Sequence, residues 1–454
     1  MLSYIIAGGT LIDGTDRPPV ERSAIWVENG RIRDVGPVEK MAGWPRLVTL
    51  DASGAFLIPG LMNANVHLLC DVRLEVLAHF YGRYDDLIAE AAQIALQNGV
   101  TTVFDTWGPR RYLTAVRDRI NAGHIPGSRM FCAGNIIGFD GPFSHDFSHR
   151  TLEVASSAFA SEINATWVEE VGRDLMWLSP AEVDRAVRRY ISRGVDFIKY
   201  ASNEHFGDSA GAFLAFSPEA QRAIVEAGHE AGLTVQAHTM SIEGLRLAVE
   251  AGCDLIQHAN LTGPVPIPES TLELMAQRCA GAVLFPVTEN GFEWIMTNTS
   301  ATNRMAWSAS DDNVRRLIRS GATLMLGTDG GLFAPDIATD PQWKHSWIRM
   351  PESENLSSLA TGHFVWLKAM EQKQCPPLKM LQAATRNIAE AYGKQAELGT
   401  LEPGKAADIV VLSKNPLEAA DNYRAIEKVI KDGVIVDRAS LPQQPTLTRT
   451  WHGR

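Results

Sequence analysis

Long apolar runs are missing from this 454-residue chain. No uninterrupted stretch of about 18 apolar residues occurs, which excludes a transmembrane helix on sequence grounds. The opening Met1-Leu-Ser-Tyr-Ile-Ile-Ala-Gly-Gly9 lacks the basic segment and the longer apolar core of a signal peptide. Cysteine is scarce as well. Cys70, Cys132, Cys253, Cys279 and Cys375 form an odd set without a Cys-x-x-Cys pair. That argues against a disulfide framework and for a reducing compartment, so the expected location is the cytoplasm. Runs of like charge are also absent. The net charge of −11 is spread along the chain, which makes nucleic acid a poor partner. What is present is a chain with 45% hydrophobic and 21% charged residues, long enough to bury a substantial core. One large domain of the size that α/β barrels reach, about 250 residues or more, plus a smaller one is the expected division, in a soluble protein.

Three zones separate along the chain. Residues 1–57 alternate short β-branched runs with turn signals, as in Tyr4-Ile-Ile-Ala-Gly-Gly-Thr-Leu-Ile-Asp13 and Ser23-Ala-Ile-Trp-Val-Glu-Asn-Gly-Arg-Ile-Arg-Asp-Val-Gly36. Asn29-Gly30 between two such runs is a hairpin signal, because a tight type I′ turn needs positive φ at both central positions. Residues 395–454 read alike, with Gly399-Thr-Leu-Glu-Pro-Gly-Lys-Ala-Ala-Asp-Ile-Val-Val-Leu412 and Val429-Ile-Lys-Asp-Gly-Val-Ile-Val436. Neither end has enough strands to close a core alone, so the two are expected to pair into one small β-sandwich domain. Residues 58–394 then form an insertion between its halves.

In that insertion, short buried-type strands are predicted near Leu61 to His67, Thr101 to Thr106, Arg129 to Gly134, Val195 to Tyr200, Leu233 to His238, Cys253 to His258, Gly281 to Phe285 and Ala322 to Asp329. Helical patterns at Asp85 to Asn98, Pro180 to Arg193, Pro218 to Ala231, Ser241 to Ala251 and Ser308 to Arg319 lie between them. Eight parallel strands with crossover helices close naturally into a (β/α)8 TIM barrel. A doubly wound open sheet is the structural alternative.

Five of these strands finish on metal-binding or titratable side chains: His67, Lys199, His238, His258 and Asp329. Each has a plain structural explanation alone. His67 could be a hydrogen-bonded core or rim histidine, and Lys199 could snorkel to solvent. His238 and His258 could cap strands, and Asp329, before a glycine pair, could be a turn residue. In a barrel, however, all five share the carboxyl rim where active sites lie, and independent coincidence becomes improbable.

These residues, with the lead-in Leu57-Ile-Pro-Gly-Leu61, the pair Asn65-Val66-His67 and the contexts Gln236-Ala-His-Thr239, Ile256-Gln-His-Ala-Asn260 and Gly327-Thr-Asp329, resemble the amidohydrolase superfamily. Ala383-Ala-Thr-Arg-Asn-Ile-Ala389 and Gly399 to Ile409 look like the same family, so the resemblance covers nearly the whole chain. It implies that His67 and Asp329 hold one divalent metal, that His238 and His258 hold a second, and that a carboxylated Lys199 bridges them. Zn²⁺ is the expected ion, with Co, Fe or Mn as alternatives and a count of one or two. Carboxylation turns the lysine cation into an anionic oxygen ligand. Asp329, His258 and Lys199 would carry catalysis, in which the metal activates a water and polarises the scissile carbonyl. Asp329 would orient that water, take its proton and pass it to the leaving nitrogen.

Asn65 departs from the family's usual His-x-His. A neutral imidazole is a better donor to Zn²⁺ than an amide oxygen. The amide would therefore either coordinate weakly or hydrogen-bond a bound water. Asn-x-His is similar to a narrower subgroup that includes the phenylurea hydrolases and the thiocarbamate-cleaving molinate hydrolase. The resemblance thus implies hydrolysis of the carbamoyl bond of an N-aryl or N,N-dialkyl urea or a related carbamate, with a small apolar substrate as the partner. Membrane and nucleic acid are not expected, and homo-oligomerisation is left open. Phe139, Phe143, Phe147, Phe292, Trp294, Trp343 and Trp347 would suit an apolar pocket, though each could equally pack a loop or a subunit interface. His145, His149 and His205 are further candidate contacts. The rivals are a thiocarbamate hydrolase, a dipeptide or cyclic-amide hydrolase using Arg110, Arg111 or Lys344 for a substrate carboxylate, and a catalytically silent binding or assembly relative.

Overall fold

Val, Ile and Leu dominate the short runs that the sequence marks as strands, and these runs are extended in the computed structural model, which describes residues 3–147, 154–205, 213–278, 280–339 and 349–449. The amino-terminal part supplies β1 (Ser3–Ala7), β2 (Thr10–Leu11), β3 (Ser23–Glu28), β4 (Arg31–Pro37), β5 (Thr49–Asp51) and β6 (Phe56–Pro59). The middle supplies β7 (Leu61–Leu69), β8 (Val100–Asp105), β9 (Arg129–Cys132), β10 (Ile198–Ala201) and β11 (Val235–His238). It continues with β12 (Leu255–Gln257), β13 (Gly281–Leu284), β14 (Leu324–Leu326) and β15 (Gly330–Leu332). The carboxyl-terminal part adds β16 (Ile409–Leu412), β17 (Ile426–Lys431) and β18 (Val434–Ile435).

The two chain ends meet in one sheet of order β18-β17-β16-β6-β2, and a second sheet, β4-β3-β1-β5, belongs to the amino-terminal part. Both predicted turns have the geometry their residues favour: Asn29 and Gly30 have φ of 51° and 80°, Asp432 and Gly433 of 49° and 71°. The run Ile409-Val-Val-Leu412 is apolar throughout because its strand is buried on both faces. Ile409 and Val411 join Leu57, Ile25 and Ile430 in a core between the end sheets. Val410 and Leu412 face the other way, into the core of the middle part, as the period of two requires.

The middle part is built on parallel strands. One sheet has the order β10-β11-β12-β13-β14 and the other β15-β7-β8-β9. The first is hydrogen-bonded at its β10 edge to the segment that follows β9, and the turn after β14 is hydrogen-bonded to β7. Ile137 N donates to Lys199 O and Ala201 N to Ile137 O, each at 2.9 Å, while Thr328 N and Asp329 N donate to Asn65 O at 3.2 and 3.0 Å. The strands lie in all eight segments where the sequence predicts them. Several helices between them begin at serine caps: Ser179 forms a capping box with Glu182 ahead of Pro180–Ile191, and Ser217 accepts from Ala220 N ahead of Pro218–Glu230. One helix differs from the prediction. It spans Ala301–Ser320, a turn and more ahead of Ser308, because Ser300 caps it by accepting from Asn303 N. Arg129, at the start of β9, ties the parallel strands to the end sheet through ion pairs with Asp408 and Asp432.

Among the described residues no helix is long and apolar enough to cross a membrane. Cys70, Cys132, Cys253 and Cys375 are free thiols; Cys279 lies outside the described residues.

Candidate metal centre and active site

At the carboxyl ends of the parallel strands, five elements bring polar side chains together. Asn65 and His67 come from β7, Lys199 from β10, His238 from the last residue of β11, His258 from just after β12 and Asp329 from the turn between β14 and β15. His258 and Asp329 have φ of 38° and 47°. Non-glycine residues seldom take such values, and asparagine, aspartate and histidine do so most readily. Left-handed backbone at both positions turns the chain sharply where each strand ends, and such geometry concentrates at functional sites.

Lys199, His238 and His258 are 2, 2 and 4% exposed. The side chains of His67 and Asp329 are 14 and 28% exposed, so they form the open edge of the site. His67 Nε2 lies 3.4 Å from Asp329 Oδ1. The rings of His238 and His258 are 4.7 Å apart, centroid to centroid. His258 Nδ1 is 3.0 Å from Thr239 O, and because a carbonyl only accepts, Nδ1 carries the proton and Nε2 keeps its lone pair.

Burial, which disfavours charge, sets the electrostatics. It holds all three imidazoles below their usual range, with His258 at about 4, His67 lowered and His238 well below. Neutral imidazole is the form that coordinates metals. Burial likewise brings the Lys199 amine down to about 8, against the pull of Asp329 and Asp105. Asp329 goes the other way. Burial favours its neutral acid, but the hydrogen bond and charge of His67 and the charges of His258 and Lys199 outweigh that and hold it well below the carboxylate range. Asp105, at the end of β8, is pushed up to about 8 by burial, although the N–H groups of Leu68 and Trp107 and the charge of Lys199 pull it down.

These donors fit a divalent cation. His238 Nε2 is buried and has no hydrogen-bond partner among the described residues, an expensive arrangement for a nitrogen lone pair unless something is to occupy it. No three His, Cys, Asp or Glu side chains among the described residues form a metal cage by themselves. The fit therefore depends on Lys199, a donor only once its ammonium is lost or carboxylated.

An aromatic wall adjoins the imidazoles. The Phe139 ring lies 5.2 Å from that of His238 and 4.7 Å from that of His205. His205 in turn is 4.5 Å from His238 and 5.0 Å from Phe147. Phe147 stacks on Trp107 at 3.9 Å, and Trp107 meets His67 edge-on at 5.8 Å. Of the predicted contacts, Phe139, Phe147 and His205 thus reach the site. Phe143 is buried against Phe159 instead, and Phe292 and Trp294 pack in a separate cluster with Ile295 and Met350. His145 is exposed, and His149, Trp343, Lys344 and Trp347 lie outside the described residues. Arg110 is committed to Glu169 and to Arg193 O, and Arg111 is exposed. A cavity of about 430 Å³ lined by Thr288, Glu352, Glu354, Lys368, Asp421 and Arg424 contains none of the site residues.

Sequence reasoning missed Thr106 and Trp107. Thr106 Oγ1 donates to Asn65 Oδ1 at 2.5 Å, accepts from Lys199 Nζ at 3.1 Å and lies 3.5 Å from His67 Nδ1. The available signal was position: both residues directly follow β8, at the same ends of the strands as the residues identified.

Residues 56–436 match the sequence profile of the Amidohydrolase family. A solved structure of molinate hydrolase is 37% identical, with a TM-score of 0.92, and the match covers 100% of this chain and 98% of that one. The crystal structure of phenylurea hydrolase B is 35% identical, with a TM-score of 0.92 and coverage of 98% of this chain and 99% of that one. Ochratoxinase from Aspergillus niger is 26% identical over 461 residues, covering 94% of this chain and 85% of its own length.

Proposed function

Because the chain belongs to the amidohydrolase family, we propose that it is a metal-dependent hydrolase that cleaves the carbamoyl C–N bond of an N-aryl or N,N-dialkyl urea. The two parallel sheets are read as one (β/α)8 barrel spanning residues 58–394, with residues 1–57 and 395–454 as the small β-domain. In this reading His67, His238, His258, Asp329 and a carboxylated Lys199 hold one or two divalent ions, Zn²⁺ being the first choice for a histidine-rich set. A bound cation supplies Lewis acidity, which lowers the pKa of water and polarises the substrate carbonyl.

The chain's own residues supply positioning and proton transfer. Asp329, ionised and at the open edge, orients the attacking water, accepts its proton and delivers it to the leaving nitrogen. Water adds to the carbonyl carbon, the C–N bond breaks, the leaving nitrogen takes the proton from Asp329 and departs as the neutral amine, and the remaining carbamic acid breaks down to carbon dioxide and the second amine.

The observation that carries the substrate class is the aromatic wall of Trp107, Phe147 and Phe139 in ring contact with His67, His205 and His238. Such a wall suits an aryl or dialkyl group beside the reacting carbonyl. Dipeptides fit less well, since Arg110, a candidate for a substrate carboxylate, is already paired with Glu169. A thiocarbamate substrate is the second reading, favoured by the full-length likeness to molinate hydrolase.

Mass spectrometry after incubating the metal-supplemented protein with a phenylurea and, separately, a dialkyl thiocarbamate tests both. Release of the aniline supports the first reading, and release of the secondary amine from the thiocarbamate the second. Amine from neither overturns the substrate class. Turnover that survives exhaustive chelation with no metal left on the protein overturns metal dependence.

A further inference from the structure

Asn65 is 2% exposed, and both ends of its amide are engaged. Its oxygen accepts from Thr106 Oγ1 at 2.5 Å, and its nitrogen donates to Asp329 Oδ1. The direction of these bonds follows from chemistry rather than from the assignment of amide atoms. An ionised carboxylate has no hydrogen, so Asp329 can only accept, and the amide must turn its NH2 towards it. At the other end, Thr106 accepts from Lys199 Nζ at 3.1 Å and has one hydrogen to give. Lys199 keeps an N–H whether it is an ammonium, a free amine or a carbamate, because carboxylation replaces only one hydrogen. In each state the Thr106 hydroxyl can therefore accept from Lys199 and direct its own hydrogen to Asn65 Oδ1. His67 Nδ1, at 3.5 Å, is the more distant competitor.

The backbone reinforces this placement. Asn65 O accepts from the N–H groups of Thr328 and Asp329 at 3.2 and 3.0 Å, and Asn65 N donates to Asn63 Oδ1 at 3.2 Å. Asn65 thus grips both the main chain and the carboxylate of Asp329. The amide turns its NH2 to Asp329, and that nitrogen has no lone pair to offer a cation.

We propose that Asn65 is not a metal ligand but a positioning residue, which together with Thr106 links Lys199 to Asp329 and holds the Asp329 carboxylate in its working orientation. This rests on the reading of the site as a metal-dependent hydrolase centre. In place of the first histidine ligand of the usual family pattern, the chain has a strut that aims the proton carrier.

The test compares the wild type with Asn65→Ala, Thr106→Val and Thr106→Ser. Bound metal is counted by mass spectrometry after gel filtration, affinity is measured by competition with a chromophoric chelator, and kcat and KM are measured with a phenylurea. Metal per chain at saturating metal should be unchanged in all three variants, with affinity weakened by no more than about 10–100-fold, the usual cost of losing a hydrogen bond to a ligand rather than a ligand. In Asn65→Ala and Thr106→Val, kcat should fall at least about tenfold with KM within about twofold, and Thr106→Ser should recover most of the loss. Thr106→Val keeps the shape of the side chain and carries the test if Asn65→Ala does not fold.

Loss of an ion at saturating metal, or affinity weakened by well over about 100-fold, in Asn65→Ala would make Asn65 a ligand and overturn the proposal. An unchanged kcat in Thr106→Val, or a Thr106→Ser variant no better than Thr106→Val, would overturn the link through the hydroxyl. A wild type that binds no metal from supplemented buffer would instead overturn the functional reading, and this inference with it.

Discussion

The two ends of the parallel strands treat polar side chains in opposite ways. At the amino end of β9, Arg129 is 13% exposed and its charge is matched by Asp408 and Asp432, a closed arrangement that joins two parts of the fold. At the carboxyl ends, His238 Nε2 has no partner among the described residues, His258 and Asp329 have left-handed backbone, and Asp329 is open to solvent. One end satisfies its charges and stabilises. The other leaves groups poised at a cost in stability, as expected where ligands and substrates must bind.

That contrast can be broken from either side. The largest effect is expected from Asp329→Asn, which removes the proposed proton carrier and preserves its volume. Steady-state kinetics should show kcat lower by about 10³-fold, within the usual range for general acid–base groups, with the melting temperature unchanged or raised. Retained turnover would show that Asp329 is not the proton carrier. Arg129→Ala should do the reverse. It leaves Asp408 buried without its partner, at a cost of about 3 kcal/mol, the low end for a broken buried pair because Asp432 is half exposed. Urea denaturation would register the loss, and kcat measured well below the transition should stay near wild type; a stable variant with collapsed turnover would invalidate the division between the ends.

Smaller changes sharpen the carboxyl-end picture. Phe147→Ala removes a half-buried ring stacked on Trp107, and KM for an aryl substrate should rise about tenfold, the value of one good aromatic contact. If KM is unaffected, the wall does not contact substrate. Phe292→Ala is the matched control, since this ring packs with Val287, Ile295 and Met350. Its KM should stay within about twofold of wild type, with only a loss of stability of about 1–3 kcal/mol in the same urea assay.

The strands were legible because short apolar runs bounded by Gly, Pro and Asn signal extended segments locally. The hairpins at Asn29-Gly30 and Asp432-Gly433 were legible because few residue pairs tolerate positive φ at both positions. The start of the helix Ala301–Ser320 was not. Asn298-Thr-Ser-Ala-Thr-Asn303 reads as a loop, and Ser300 becomes a cap only when the chain turns there. In the site, histidine, lysine and aspartate at strand ends carry a chemical signature by themselves. A threonine after a strand does not, so Thr106 emerged only through its neighbours.

The sequence by itself determined the alternation of strands and helices, the meeting of the chain ends and which titratable side chains stand at the strand ends, because periodicity and side-chain chemistry are properties of short stretches. Which donors face one another was decided by tertiary structure. Thr106 lies 41 residues from Asn65 and 93 from Lys199, and Asn65 lies 264 from Asp329. A hydrogen bond depends on distances of about 3 Å and on which partner has the proton. Only the packing of the parallel strands brings such distant residues within that range and decides which end of the Asn65 amide meets Asp329.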